Sequence, residues 1–515
     1  MSRSVIPGLL LALTVLIALA LRCPELDVRP MHNDEAVNAL KFRPLLERGN
    51  YRYDPTEHHG PALAWFTLAW TRLTGVSDFN HLTEARLRLL TVLFGVGLIL
   101  LLPLVADGLG WEAAVCAALL TAVSPAMVFY SRYYIHEMLL VFFTFLALAA
   151  GWRYYRNPGV GWAVVTGAAI GLMQCSKETF VLPLAAMAVA VAIVRRRARS
   201  REIQPARPRA VHLISAIVGW LAIVILLFTS FFTNASGPLD AVETYFPWLN
   251  RAAGNSPHIH PWYFYLSRVT FFHSGGGPVW TEGLILVLAL AGFIFAFRGP
   301  AESHSSPPER PLLLRFLAVY TGTLAFLYSV IPYKTPWCLL GFWHGSILLA
   351  GVGAVALVRC APRVWMRSVL VLILLAAAAQ LAAQSWRAAV IYSADRRNPY
   401  VYAQTSPDVC ELVSRLESLA QSQPEGRHLV IKVMSPDSDY WPLPWYLREF
   451  DRVGWWDRVP ADPSAPVMIV SAKLNANLDA DHTHIMAGLF QLRPDSFLEL
   501  YVETNLWNSC VNSRH

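Results

Sequence analysis

The sequence predicts a mainly α-helical polytopic membrane protein of about eleven transmembrane helices, N-terminus inside and C-terminus outside, ending in a small extracytoplasmic α/β domain. Three observations carry that expectation. Of 515 residues, 55% are hydrophobic and only 15% charged, where an ordinary soluble domain carries about 25% charged residues. The apolar residues are gathered into runs long enough to cross a hydrocarbon core. Arginines alternate between the polar connections so that one side of the membrane is enriched. The same numbers exclude a disordered chain, which needs low hydrophobicity, and a small disulfide scaffold, for which 7 cysteines are too few. The net charge of +7 implies no nucleic-acid partner, because the basic residues flank apolar runs instead of covering a solvated face.

The spans read as Val5–Leu21, Arg88–Ala106, Glu112–Phe129, Met138–Trp152, Gly161–Cys175, Thr179–Val194, Val211–Phe232, Gly283–Phe297, Leu312–Ile331, Leu339–Val358 and Ser368–Ala383. The inside connections then hold Arg153 and Arg156, the cluster Arg195, Arg196, Arg197, Arg199, Arg201, Arg207 and Arg209, then Arg298 and Arg310, and finally Arg359, Arg363 and Arg367. The short outside turns hold only Arg132, Lys177 and Lys334. The long first outer loop, with Arg29, Lys41, Arg43, Arg48 and Arg52, departs from the bias, as long loops do. The first span reads as an uncleaved anchor in the cytoplasmic (inner) membrane; the alternative is a signal peptide cleaved after Ala18-Leu19-Ala20. The division is a transmembrane domain at 1–383, with outer loops 23–87 and 233–282, and an outer domain at 384–515. In that outer domain Ser406-Pro407-Asp408 starts a helix with Val409, Leu412, Val413, Leu416 and Leu419 on one face. Strands are expected at His428–Met434, Pro466–Ala472 and Phe497–Glu503, and pairing of Cys410 with Cys510 is left open.

Once the topology is drawn, ionisable residues collect on the outer side. Asp34 and Glu35 follow the first span, and Glu57, His58 and His59 lie later in the same loop. Arg132, His136 and Glu137 occupy the next outer turn, Lys177 and Glu178 the one after, and Tyr333 and Lys334 the turn after the ninth span. The chain has five lysines, and two lie in these short turns. Each residue has a plain alternative: Lys177 beside Glu178 as a snorkelling pair, His58 and His59 as solvated, Arg132 as a helix cap. Five segments supplying acid, base and cation to one face outweigh those separate readings, because a charge near a membrane segment is costly. Carboxylates can serve as general base or metal ligand, and Arg, Lys and His can neutralise a departing phosphate. No certain cofactor is implied. A divalent metal ion is an open alternative through Glu57 or His58, with His258, His260 or His273 as second ligand. Trp441, Trp445, Trp455 and Trp456 read as domain core or membrane-surface belt more readily than as sugar-stacking platforms.

At these motifs the chain resembles GT-C glycosyltransferases of the protein O-mannosyltransferase and aminoarabinose transferase superfamily. The matching residues are Asp34-Glu35 after the first span, His58-His59-Gly60-Pro61 before Trp65 and Phe66, Ser131-Arg132 with Glu137, and the Lys177-Glu178 turn. Glu137 stands where many members have Asp, which keeps the charge and changes its reach. Ile331-Pro332-Tyr333-Lys334-Thr335-Pro336-Trp337 and the string from Asp439 to Arg448 are similar to a subgroup labelled flippase activity-associated proteins. The resemblance implies a GT-C-like fold and inverting transfer of a sugar from a polyprenyl-phosphate donor to a hydroxyl of a protein, lipid or glycan acceptor. It implies Asp34 as general base, Glu35 orienting it or holding a metal, and Glu137 orienting a cation or sugar hydroxyl. It implies donor-phosphate contacts from Arg132, Lys177, His59, Lys334 and Tyr333, and substrate contacts from His58, Glu178 and His136. The rival readings are a lipid-linked-sugar flippase or other transporter, which should place charges at the midplane and show repeat symmetry, and a non-catalytic membrane scaffold. Neither midplane charges nor an internal repeat is seen.

Overall fold

A computed structural model describes residues 5–57, 59–199, 209–252, 258–298, 310–479 and 482–512. His58, Arg201 and Arg207 therefore lie outside the described residues. Helix α1 (Val5–Arg22) leads into a connecting segment carrying α2 (Asn33–Arg48) and α3 (Ala62–Leu73), followed by α4 (Glu84–Leu101) and the short α5 (Ala106–Leu109). Helices α6 (Trp111–Val123) and α7 (Pro125–Ser131) come next, then α8 (Glu137–Arg156), α9 (Val160–Ser176), α10 (Val181–Arg199) and α11 (Ala210–Phe228). A second connecting segment holds α12 (Gly237–Glu243), α13 (Tyr245–Ala252) and α14 (Phe264–Thr270), and α15 (Gly283–Arg298), α16 (Arg310–Val330), α17 (Leu340–Cys360) and α18 (Val364–Trp386) complete the bundle.

Among the described residues, seven helices are long and apolar enough to cross a membrane. The pair α6 and α7 makes an eighth span if counted together, and the 6–22, 160–176 and 283–298 helices are apolar but shorter. The chain is therefore a multi-pass membrane protein. Two expected spans are altered. The run expected at Glu112–Phe129 bends by 59° between α6 and α7, because Ser124 is extended, caps the new helix through Met127 N, and precedes a proline at the first helical position. Buried Glu282 holds the bend by accepting from Ser124 Oγ (2.5 Å), Ala126 N (3.0 Å), Tyr400 Oη (2.6 Å) and Trp343 Nε1 (3.2 Å). The run expected at Val211–Phe232 stops at Phe228, where Ser230, Phe231 and Phe232 take left-handed backbone angles.

Helix α9 packs on α8 and α11, α15 on α17, and α17 on α6. The α15–α17 approach is backbone to backbone: a Cβ on Gly292 would collide with the Leu349 carbonyl, and one on Gly353 with that of Leu288. Membrane helices lacking a hydrophobic drive toward one another gain their packing energy through such small-residue contacts.

The C-terminal part begins with α19 (Asp408–Gln421), whose Val409, Leu412, Leu416 and Leu419 are buried as the periodicity requires. It covers a five-stranded sheet of β1 (Ile431–Met434), β2 (Val453–Trp456), β3 (Val467–Ser471), β4 (His484–Arg493) and β5 (Ser496–Glu503), in the order β2-β1-β3-β5-β4. The three inner strands match the sequence expectation and the two edge strands were not anticipated. The short α20 (Leu443–Tyr446) leaves the sheet to pack against α2, and α21 (Thr504–Asn512) closes the domain. Cys410 and Cys510 are not joined by a disulfide, and Cys510 Sγ donates to the Ser418 carbonyl (3.7 Å).

Candidate active site

The site is built on residues 22–35, a loop whose backbone carbonyls are gripped by two buried arginines. Arg132 donates to the carbonyls of Arg22 (3.1 Å), Pro24 (2.5 Å) and Glu25 (2.5 Å). Arg88 donates to those of Leu26 (2.6 Å), Arg29 (2.7 Å) and Pro30 (3.2 Å). A planar guanidinium with a fixed fork of donors suits this task better than an ammonium would. The loop then enters α2 through a capping box, with His32 Nδ1 accepting from Asp34 N (3.1 Å) and Glu35 accepting from His32 N (2.9 Å).

Adjacent carboxylates meet opposite environments here. Glu35 is fully buried. Its Oε1 accepts from Arg88 Nε (2.8 Å), Arg29 (3.0 Å) and Tyr134 N (2.9 Å), and its Oε2 accepts from Arg88 Nη2 (2.8 Å) as well as His32 N. Burial pushes its pKa up, but the charges of Arg29 and Arg88 and the hydrogen bonds from Arg88 and His32 N prevail and hold it at about 2. Both oxygens are saturated by protein donors, so the structure departs from the expected role of Glu35 in holding a metal or orienting Asp34. It is the keystone of the loop. Arg132, expected on the donor phosphate, is likewise occupied by carbonyls. Asp34, one residue away, leaves its side chain 44% exposed at the N-terminus of α2, with His32 Nδ1 at 3.9 Å.

Lys177 and Glu137 pair in the wall of a small cavity of about 20 Å³ lined also by Thr144, Thr179, Tyr328, Trp337 and Cys338. Glu137 begins α8 and Lys177 ends α9, so the ion pair ties two spans at their site ends. Next to it, His59 Nδ1 meets Glu178 Oε2 at 2.9 Å, and its ring lies edge-on to His136 with centroids 5.2 Å apart. Gly60 makes that approach possible: a Cβ there would strike the Cys175 carbonyl at the end of α9. This second corner opens to a small cavity of about 20 Å³ with Asn38, Lys41, Tyr51 and Tyr134 in its wall. Glu137 and Lys177 thus line one cavity and His136 and His59 the other, with Glu178 held against His59.

Tyr333 forms an isolated antiparallel bridge with Ile259, which brings the 258–260 segment onto the turn after α16. Lys334 is buried there, with Nζ donating to the carbonyls of His260 (3.2 Å) and Ile331. His258 Nδ1 and His260 Nε2 lie 2.7 and 2.9 Å from Tyr402 Oη, and His32 Nε2 lies 3.1 Å from the Tyr402 carbonyl. Glu57 is exposed beside Lys41, whose Nζ donates to its carbonyl at 2.6 Å, and His273 is exposed as well. Among the described residues no three His, Cys, Asp or Glu side chains converge as a metal site.

Sequence reasoning missed the residues that hold Asp34 in place. Arg29 and Arg88 look like membrane flanks until burial shows otherwise. Gln404 donates to the Pro30 carbonyl (3.0 Å) and accepts from Tyr133 Oη (2.7 Å), Thr405 donates to the Met31 carbonyl (2.7 Å), and Tyr446 Oη accepts from Met31 N (2.8 Å). All three come from the C-terminal part, and no local signal links them to residue 31.

The family model of dolichyl-phosphate-mannose-protein mannosyltransferases matches residues 58–228. A search of curated proteins gives no match. Among solved structures, ArnT from Cupriavidus metallidurans bound to undecaprenyl phosphate superposes with a TM-score of 0.62 at 16% identity, over 95% of this chain and 97% of that one. The Archaeoglobus fulgidus oligosaccharyltransferase tethered to an acceptor peptide gives 0.53 at 12% identity, over 88% of this chain and 64% of that one. AglB from the same organism, in complex with an inhibitory peptide and a dolichol-phosphate, gives 0.52 at 14%, over 87% and 64%. The likeness in fold thus runs over nearly the whole chain, while the family model matches its 58–228 segment.

Proposed function

We propose that the protein transfers a sugar from a polyprenyl-phosphate carrier to an acceptor hydroxyl, with inversion, on the extracytoplasmic side of the inner membrane, where the C-terminal domain also lies. The observation that carries this reading is the contrast at residues 34 and 35: one carboxylate saturated and buried, its neighbour left accessible at the start of a helix whose Asn38 and Lys41 line the cavity at His59. The structures with undecaprenyl phosphate and with a dolichol-phosphate support a lipid-phosphate donor. The strings around Tyr333-Lys334 and Tyr440-Trp441 support placement nearest the flippase activity-associated subgroup.

In the reaction, the acceptor oxygen attacks the anomeric carbon as its proton passes to Asp34. The bond from that carbon to the phosphate oxygen breaks, and polyprenyl phosphate departs. A phosphate leaves without protonation, so stabilising its charge matters more than a general acid. Lys177 supplies that charge from the cavity wall, with Glu137 holding the ammonium and His59 on the neighbouring corner. Lys334, anchored on two carbonyls, adds positive field without direct contact, and Glu178 with His136 shapes the substrate side.

The test is sugar transfer from a labelled polyprenyl-phosphate donor by the purified full chain in vesicles. Asp34→Asn is expected to lower kcat by about 10²–10⁴-fold, the usual worth of a general base. Lys177→Met is expected to lose activity and Lys177→Arg to retain part of it. Unchanged transfer by a folded Asp34→Asn protein, or lipid translocation without transfer by the wild type, would sink the proposal.

A further inference from the structure

The helix pair α12 and α13 carries an apolar stripe that no other described residue covers. Leu239, Val242, Phe246 and Leu249 are 61%, 59%, 68% and 54% exposed. Their spacing of three, four and three residues puts all four within one narrow arc of a helix. The opposite arc, Gly237, Asp240, Ala241 and Thr244, is buried. That inner face is fastened to the candidate site. Tyr53 hydrogen-bonds Thr244, and Tyr245 is close enough to Glu178 for the two to interact electrostatically. Gly237 abuts the end of α11, where a Cβ would strike the Phe228 carbonyl.

We propose that residues 237–250 are a strap seated in the lipid leaflet on the active-site side, its apolar arc in lipid and its buried arc covering the His59–Glu178 corner. Continuity with the lipid-facing surface identifies the occupant. Helix α11 exposes Ile214 and Val218 (59% and 58%) along its length, and Phe231 and Phe232 (48% and 75%) extend that surface into the strap. A contiguous patch of large apolar side chains in water is unfavourable, whereas an amphipathic segment at a bilayer surface buries it in the headgroup and acyl boundary. A donor whose chain lies in the bilayer would then approach the polar corner beside this strap, a consequence that rests on the transfer reading.

The experiment is photolabelling of the full chain, reconstituted in phosphatidylethanolamine and phosphatidylglycerol vesicles containing a diazirine-bearing phospholipid, with labelled residues mapped by mass spectrometry. Ile214 and Val218 serve as the lipid-facing reference. Met486 and Leu489 of β4, exposed at 43% and 54%, are apolar residues away from the bundle. The strap is expected to label at the level of α11 and at least about ten-fold above β4. Labelling at the β4 level overturns the proposal, and that is the outcome if a protein partner covers the stripe instead. A Phe246→Glu, Leu249→Glu double variant is expected to lose strap labelling while α11 labelling stays, and to raise KM for a long-chain donor with kcat kept. Strong strap labelling in a wild-type protein that transfers no sugar would leave the strap standing and overturn only the transferase reading.

Discussion

At the scale of single residues, burial decides which of two neighbouring acids can react. Glu35 makes hydrogen bonds with both oxygens and faces two guanidinium groups, so replacing it strands charges that have no other counterpart. Glu35→Gln is expected to destabilise the protein by about 3–5 kcal/mol, the usual cost of breaking a buried pair by removing one partner, measured as a fall in detergent-solution stability relative to Asp34→Asn. The carboxyl also sets a pH dependence. Its pKa falls from 4.5 unfolded to about 2 folded, so the unfolded form binds more protons between those values. The stabilisation is complete above about pH 4.5 and is lost as pH falls toward 2. A thermal-stability profile should show that acid limb in the wild type and a reduced one in Glu35→Gln. Asp34 was legible because an Asp-Glu pair after a first span is a recognisable string. Its partition from Glu35 was not, since both arginines that make it sit where flanking charges normally sit.

At the scale of elements, apolar run length located the spans, and breaks came from features the run hides. The Ser124-Pro125 step is a cap followed by a proline, readable in principle, yet the residues on either side are as apolar as the rest. The sequence also contained Glu282 at the start of a span without revealing that its partners lie on α7, α17 and the segment after α18. Replacing Glu282 by Leu strands the Ser124 hydroxyl, Ala126 N and Tyr400 Oη as donors, while Trp343 Nε1 keeps Ser124 Oγ as partner (3.2 Å), at a cost of about 1.5–3 kcal/mol for a bond to a charged group. The α7 segment carrying Arg132 is expected to loosen, read as faster hydrogen exchange at 125–133, while Glu282→Gln keeps most of the protection. Among strands, β4 escaped notice because register shifts between Met486 and Gly488 and between Gln491 and Arg493 break its alternation. β2 escaped because it is a four-residue edge with no alternating burial.

At the scale of the whole molecule, the C-terminal sheet domain is part of the active-site support. In the sequence the 439–448 string stands out for its similarity to a family subgroup, with Trp445 read as domain core or membrane-surface belt. Its fully buried Trp445 donates from Nε1 to Glu84 Oε1 at 2.8 Å and packs edge-on against Phe79, and Arg448 donates to the Leu82 carbonyl at 3.0 Å. Together with Gln404, Thr405 and Tyr446, these contacts run from the sheet to residues 30–31, three positions from Asp34. Removing a buried indole costs about 3–5 kcal/mol, and here the cost falls on the joint between two parts of the chain. Wild-type protein is expected to unfold with bundle and sheet domain in one calorimetric transition, and Trp445→Ala to separate a lower transition for the sheet domain. On the proposed transfer reading, sugar transfer should fall in parallel, through kcat more than through donor KM, because the proposed base Asp34 loses its position while the proposed donor site at Lys177 is untouched. A Trp456→Ala variant, altered in the same domain on the edge strand away from this joint, should keep both the single transition and the activity. If the two variants behave alike, the sheet domain is an appendage and the loop at Asp34 is held by its arginines alone.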